Sequence, residues 1–295
     1  MRVGFVSFVV AAMPILGCVG DGSGQSSDAG EDRYVADTGS DSGNSAMDAT
    51  TDGASFSVKD LPGLVLWLDA SQGITQSNNL VSVWADQSAA KNNASMSIQA
   101  FRPTWVPTAI NGKSAIHFEN ADGGVSGTHL TIADASSLQW GTGDFYVSVV
   151  VRYTNAANAY GTIFMKQTIP APYSGPAIFA NFPQPTTSVS GQVMNMAVVT
   201  TSYTNLNDGA ARQISFARSS GGLTIRLNGM VVGSLSNANT TTSVDAVGSD
   251  FTLGANAAGG QALRGDIAEV IAVKGAISAG DLTAVEGYLR TKYAL

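Results

Sequence analysis

Beyond residue 56, hydrophobic and polar positions mostly alternate with a period of two. In Phe145–Tyr153, the residues Phe145, Val147, Val149, Val151 and Tyr153 share one face, and Tyr146, Ser148 and Arg152 share the other. That pattern is a β-strand, because successive side chains point to opposite sides. Residues 115–119 alternate in the same way, with Ile116 and Phe118 opposite His117. Residues 63–69 (GLVLWLD) are almost continuously apolar and read as a strand buried on both faces. Residues 193–201 and 213–217 read as further strands. Residues 223–227 run into Asn228-Gly229 and leave through Met230–Leu235, a hairpin signal because both turn positions take positive φ. Near the end, Phe251–Leu253 and residues 267–273 flank a small-residue loop. Ile267, Ile271 and Val273 are expected on one face, with Ala268, Val270 and Ala272 on the other. Apolar residues on both faces predict a central, covered strand.

One segment breaks the period. Ser278 and Asp281 form a capping-box variant, and Leu282, Val285 and Leu289 recur at helical spacing. Arg290 and Lys292 follow where they suit the helix dipole. Many short strands, turn signals between them and a single short C-terminal α-helix predict an all-β, antiparallel two-sheet sandwich.

The N-terminal part has neither period. Met1-Arg2 precedes an apolar run, residues 3–16, that is too short for a membrane span and suits a signal peptide. It ends in Ile15-Leu16-Gly17-Cys18, which resembles the lipobox of bacterial lipoproteins; Cys18, the sole cysteine, is then the expected lipidation site. Residues 19–55 contain eight acids and one base and almost no large apolar residue, so they predict a disordered acidic linker. This gives three parts: 1–17 signal peptide, 18–55 linker, 56–295 folded domain. The formal charge of −7 resides in the linker, because residues 56–295 carry fourteen acids and thirteen bases. A nucleic-acid binder is expected to carry a basic face, and the near-neutral domain argues against one.

The order LVLWLDAS, VSVWADQS, RPTWV, INGKSAIHF, the LNG hairpin and LRGDIAEVIAVKGAISAGDLTAVEGYLRTKY resembles the laminin-G-like, concanavalin A-type jelly-roll family, in the versions found as bacterial surface domains. The resemblance covers about residues 61–293. It implies two antiparallel sheets, one of them concave, and a role in binding glycans or proteins, often with calcium. The resulting expectation is a monomeric, non-catalytic module, lipid-anchored to the bacterial cell envelope, whose partner is a glycan or an extracellular or envelope protein. The alternatives are a structural envelope protein acting by protein–protein contacts and a glycoside hydrolase.

Chemistry is sparse. Paired carboxylates for glycoside cleavage must share a cleft, and Asp266 and Glu269, at odd spacing, are expected on opposite faces of a regular strand. No catalytic residue is assigned, and no cofactor is required. Aromatic rings beside Asn or Asp oxygens are the usual elements of a sugar site, sometimes organised by calcium. The ligand candidates are therefore Trp105, Asp122, Tyr173 and Asn181, with Asp122 and Asn120 as calcium candidates. Tyr173 and Asn181 belong to the proline-rich residues 168–185, read as a long loop. Gly112-Lys113-Ser114 imitates a phosphate loop but precedes a strand and reads as a turn. Arg264-Gly265-Asp266 spells an adhesion tripeptide at the start of the central strand.

Overall fold

A computed structural model describes residues 56–120, 127–194, 197–236 and 242–295. The signal peptide, Cys18, the linker and Asp122 lie outside the described residues. The first strands are β1 (Leu64–Asp69), β2 (Ile74–Ser77), β3 (Leu80–Trp84), β4 (Ala94–Ser95), β5 (Thr104–Ile110) and β6 (Lys113–Phe118). Next come β7 (Leu130–Ile132), β8 (Phe145–Tyr153), β9 (Gly161–Met165), β10 (Ala177–Ala180), β11 (Val189–Met194) and β12 (Ala197–Thr200). The chain continues through β13 (Arg212–Ser219), β14 (Gly222–Leu227), β15 (Met230–Leu235), β16 (Phe251–Leu253) and β17 (Gly265–Lys274), and closes with helix α1 (Ala279–Tyr293).

Every pairing is antiparallel. One sheet runs β15-β14-β13-β8-β17, and the far edge of β17 is shared between β6 at its start and β1 along the rest. The other runs β2-β3-β4-β7-β16-β9-β10-β11-β12. Strand β5 pairs with β6 and touches β3, so the two ladders join along one side. Between the sheets lies one continuous core. It holds Val147, Val149, Val151, Phe216 and Ile225 from the first sheet, and Leu130, Phe164, Ile178, Val189 and Phe251 from the second. The architecture is the all-β, two-sheet sandwich with a C-terminal helix that the periodicity predicts. At Gly191 the sheets approach so closely that a Cβ would meet the Phe216 ring at 2.4 Å, so only glycine fits.

Central β17 corrects the expected facing. An extra residue, Ala268, stands between the pairs Ile267–Val151 and Glu269–Val150, a β-bulge. Ile267 therefore points between the sheets with Val270 and Ala272, whereas Ala268, Ile271 and Val273 point outward beneath the helix. A one-residue insertion reverses every later side chain, and the bare sequence does not show it. The same bulge places Asp266, paired with Arg152, and Glu269, paired with Val150, on one face rather than two.

Two further segments differ from expectation. Residues 193–201 are not one strand: Met194 pairs with Ala197 and Ser190 with Thr200, so the chain folds back as a hairpin. The proline-rich loop contains β10, held between β9 and β11. Four residues between prolines carry too little alternation to register as a strand. As predicted, Asn228 and Gly229 take φ of 47° and 84°, and Asn111-Gly112 turns directly into β6.

Helix α1 covers the outer face of the first sheet. The Ser278 side chain accepts from Asp281 N, as the capping pattern predicts. Val285, Leu289 and Tyr293 pack on Trp67, Tyr146, Val150, Ile271 and Val273. Beneath them Glu269 is fully buried. Trp67 Nε1 and Tyr288 Oη donate to its Oε1 at 2.7 and 3.1 Å, and Lys292 Nζ and Tyr293 Oη to its Oε2 at 2.7 and 2.9 Å. Lys292 also reaches Asp69 Oδ2 at 2.8 Å. Burial works against the Lys292 charge, but Glu269 and Asp69 more than offset it and raise its pKa. Burial pushes the Glu269 carboxyl upward, and the Lys292 charge opposes that push.

Breaking a buried ion pair from one side leaves an uncompensated charge, at a cost of about 3–5 kcal/mol. Lys292→Met is accordingly expected to lower unfolding stability by about that amount, read as a shift in the urea midpoint at neutral pH. A midpoint within error of wild type would show that the helix is not held by this contact.

Candidate functional site

With the helix on the first sheet, the second sheet offers the open outer face. Its strands β9 and β10 turn Met165, Ala177 and Phe179 outward, and Tyr160 and Phe182 pack against them. Three of the rings contact one another: Tyr160–Phe179, Tyr160–Phe182 and Phe179–Phe182 lie 6.1, 5.6 and 5.7 Å apart between centroids, all tilted or edge-on. Those geometries are the favourable ones for aromatic pairs. Tyr173 and Ile169 complete a cavity of about 240 Å³, together with Gln167, Gln192 and Gln261.

The polar groups of this groove are preset. Gln261 Nε2 donates to Tyr160 Oη at 2.6 Å, which leaves the tyrosine proton free to donate elsewhere. Burial pushes the Tyr160 hydroxyl above its ordinary pKa, so it stays a neutral donor. Gln167 Nε2 is spent on Gly175 O at 2.9 Å, leaving its oxygen as an acceptor. Gln192 points its amide from β11 into the same space, with no hydrogen-bond partner among the described residues.

Of the sequence candidates among the described residues, Tyr173 alone lines this groove, 39% exposed. Asn181 is completely buried at a φ of 55°. Its Nδ2 faces the carbonyls of Asn155, Ala156 and Ala159 at 3.1, 2.9 and 3.3 Å. It therefore holds the turn that delivers Tyr160 and does not line the groove. Trp105 donates Nε1 to Ala70 O at 2.9 Å and lines a different cavity with Ser71, Gln72 and Gln76. Asn120 donates Nδ2 to Ala262 O at 3.1 Å, beside an isolated bridge to Gly127. Among the described residues, no three His, Cys, Asp or Glu side chains cluster as a metal site. Tyr160, Phe179 and the three glutamines were missed by sequence reasoning, and Phe182 was visible only as an aromatic residue within the proline-rich segment.

A second, charged cluster lies where β6 and β8 meet the start of β17. His117 places Nδ1 3.0 Å from Asp266 Oδ1 and Nε2 3.1 Å from Glu119 Oε2. Arg152 Nε lies 2.5 Å from Asp266 Oδ2, and Arg264 Nε 3.5 Å from Glu119 Oε1. Carboxylate oxygens only accept, so this geometry favours the doubly protonated His117 ring. The bond to Asp266 is the largest cause of its raised pKa, ahead of the opposing effect of burial. Burial raises the Asp266 carboxyl, but His117 and Arg152 together hold it below the usual range. Asp266 is 4% exposed, so the Arg-Gly-Asp tripeptide does not present its acid. The two carboxylates that the bulge aligns on β17 are thus each committed: Asp266 to this cluster and Glu269 to the helix.

No protein-family model matches the chain, and no curated protein matches it. Solved structures share the fold. The binding domain of Paraclostridial Mosquitocidal Protein 1 is similar over 79% of this chain and 53% of that one, at 13% identity and a TM-score of 0.58. Trypanosoma rangeli sialidase in complex with sialic acid is similar over 78% of this chain and 33% of that one, at 12% identity and a TM-score of 0.54. An arabinofuranosidase complexed with arabinofuranosyl-alpha-1,2-xylobiose is similar over 72% and 51%, at 12% identity and a TM-score of 0.52. This chain therefore spans between a third and about half the length of those structures. At such identities the likeness shows a common fold, an antiparallel β-sandwich.

The His117 geometry sets a pH dependence. A folded-state pKa above the unfolded value of about 6.5 contributes stability that is complete below about pH 6.5 and is lost as pH rises through the folded value. The urea midpoint is expected to fall with rising pH over that window, and His117→Asn to flatten the slope. A slope unchanged by the substitution would assign the dependence to other groups.

Proposed function

We propose that residues 56–295 form a non-catalytic carbohydrate-binding module of the laminin-G-like, concanavalin A-type kind. One observation carries the reading: four aromatic rings and three glutamine amides converge on a single open groove. Aromatic faces accept the C–H faces of a sugar, and amides with free acceptors and donors satisfy its hydroxyls. The cavity is smaller than the ~300–1,000 Å³ of drug-sized sites, which suits one sugar ring. Sialidase and arabinofuranosidase complexes among the structures of like fold support a glycan ligand. The commitment of Asp266 and Glu269, both buried, to cationic partners supports binding without cleavage. Cys18 would tether the module to the bacterial envelope, with residues 19–55 as a spacer of roughly 30 Å r.m.s. reach.

A glycan-array screen of the full chain tests the reading. Tyr160→Ala removes a ring from the floor and is expected to weaken the best ligand roughly tenfold, about 1.4 kcal/mol. Silence from a folded protein would remove the glycan reading, and a stable co-purifying protein would then favour envelope contacts. Independently, Cys18→Ser is expected to move the protein from the membrane to the soluble fraction. Unchanged fractionation would rule out the lipid anchor.

A further inference from the structure

Resting on the groove reading above, we infer that this site selects uncharged glycans and binds them without calcium. The argument begins with the lining. Among its described residues are Tyr, Phe, Met, Ile and Gln, and no Asp, Glu, Lys, Arg or His. Lys166, next to Met165 on the chain, has no exposed surface. Its Nζ is spent on Asp134 Oδ1 at 2.5 Å, on Ala246 O at 2.9 Å and on Ser249 O. It cannot turn outward without abandoning those partners.

An acidic sugar would have to bring its carboxylate or sulfate against these rings. Ring faces carry the negative part of the aromatic quadrupole, so they repel an anion while attracting C–H edges. Displacing the water around that anion without a cation to replace it is unfavourable. The glutamines supply the opposite chemistry. Gln167 and Gln261 have each placed an N–H on a protein partner and keep a carbonyl oxygen, while Tyr160 Oη and the Gln192 amide retain donors. Such a mixture fits hydroxyl groups, which both donate and accept. Calcium, in turn, takes six to eight oxygen ligands and depends on carboxylates for affinity, and none of the described lining residues is a carboxylate. Sialic acid, present in one of the structures of like fold, is therefore not the ligand expected here.

The test is an array of uncharged, sialylated, uronic and sulfated glycans, probed with the full chain in calcium and in EDTA. Two variants accompany it. Tyr173→Asn removes an exposed ring and keeps a residue tolerant of the left-handed backbone, φ 51°, found there. Gln192→Ala removes an amide that is not committed elsewhere and serves as the check if the first variant misfolds. Binding confined to uncharged glycans, equal in both buffers and weakened about tenfold by either variant, supports the inference. Binding through the groove, shown by its loss in the variants, to acidic glycans or only with calcium would overturn this inference and leave the groove reading intact. Glycan binding that neither variant changes, or no binding at all, would overturn both.

Discussion

The buried knot of Lys292, Glu269 and Asp69 is the constraint on which the rest of the molecule depends. Strand β17 lies at the centre of the first sheet and is apolar on both sides, so its outer face must be covered. The helix provides that cover, but Glu269 lies beneath it, shut off from bulk solvent. Four donors, two of them from tyrosines on the helix and one from Lys292, saturate the carboxylate. A half-satisfied group would be worse than an apolar one, so helix position and strand register are tied together. Glu286, with Arg226 Nε at 2.9 Å and Ser215 Oγ at 3.1 Å, adds a second tie further along the helix.

Where the helix lies, this tie closes the outer face of the first sheet. Beyond the helix the His117, Arg152 and Asp266 cluster lines a charged cavity on the same face. The groove beside β9, β10 and β11 lies on the second sheet and is neutral. Three of its aromatic rings are already packed on one another, so under the proposed function a ligand would meet a preorganised surface and cost little side-chain freedom. Asn181 contributes from behind, by holding the carbonyls of the turn before Tyr160. A residue chosen from sequence as a ligand candidate thus sits behind the groove and does not line it.

The parts of this molecule legible in the sequence were those with a local cause. Alternation in β8, the Asn-Gly hairpin and the Ser278 cap each follow from residues within a few positions of one another. The sandwich and its closing helix follow from such signals added together. The bulge at Ala268 is different, because it is set by how Val150 and Val151 on another strand align with β17. The setting of Glu269 is hidden for the same reason: its partners are Trp67, far upstream, and a helix that had yet to be packed. The groove was legible only at Tyr173 and Phe182. Its glutamines come from β11 and from the loops beside β9, β10 and β17, and no linear spacing relates them.

The two carboxylates of β17 show how far residue type alone can mislead about chemistry. The bulge brings Asp266 and Glu269 to a common face, the arrangement that a sandwich hydrolase requires. Yet each is surrounded by cations and donors before any substrate arrives. Asp266 is held low by His117 and Arg152, and Glu269 lies under the helix with its oxygens filled. A general acid needs an accessible proton near the working pH, and a nucleophile needs an open approach. Asp266 lacks the proton and Glu269 the approach. The same acids that would build a catalytic pair on an open cleft here serve to lock one sheet, and the groove proposed for recognition lies on the neutral face of the other.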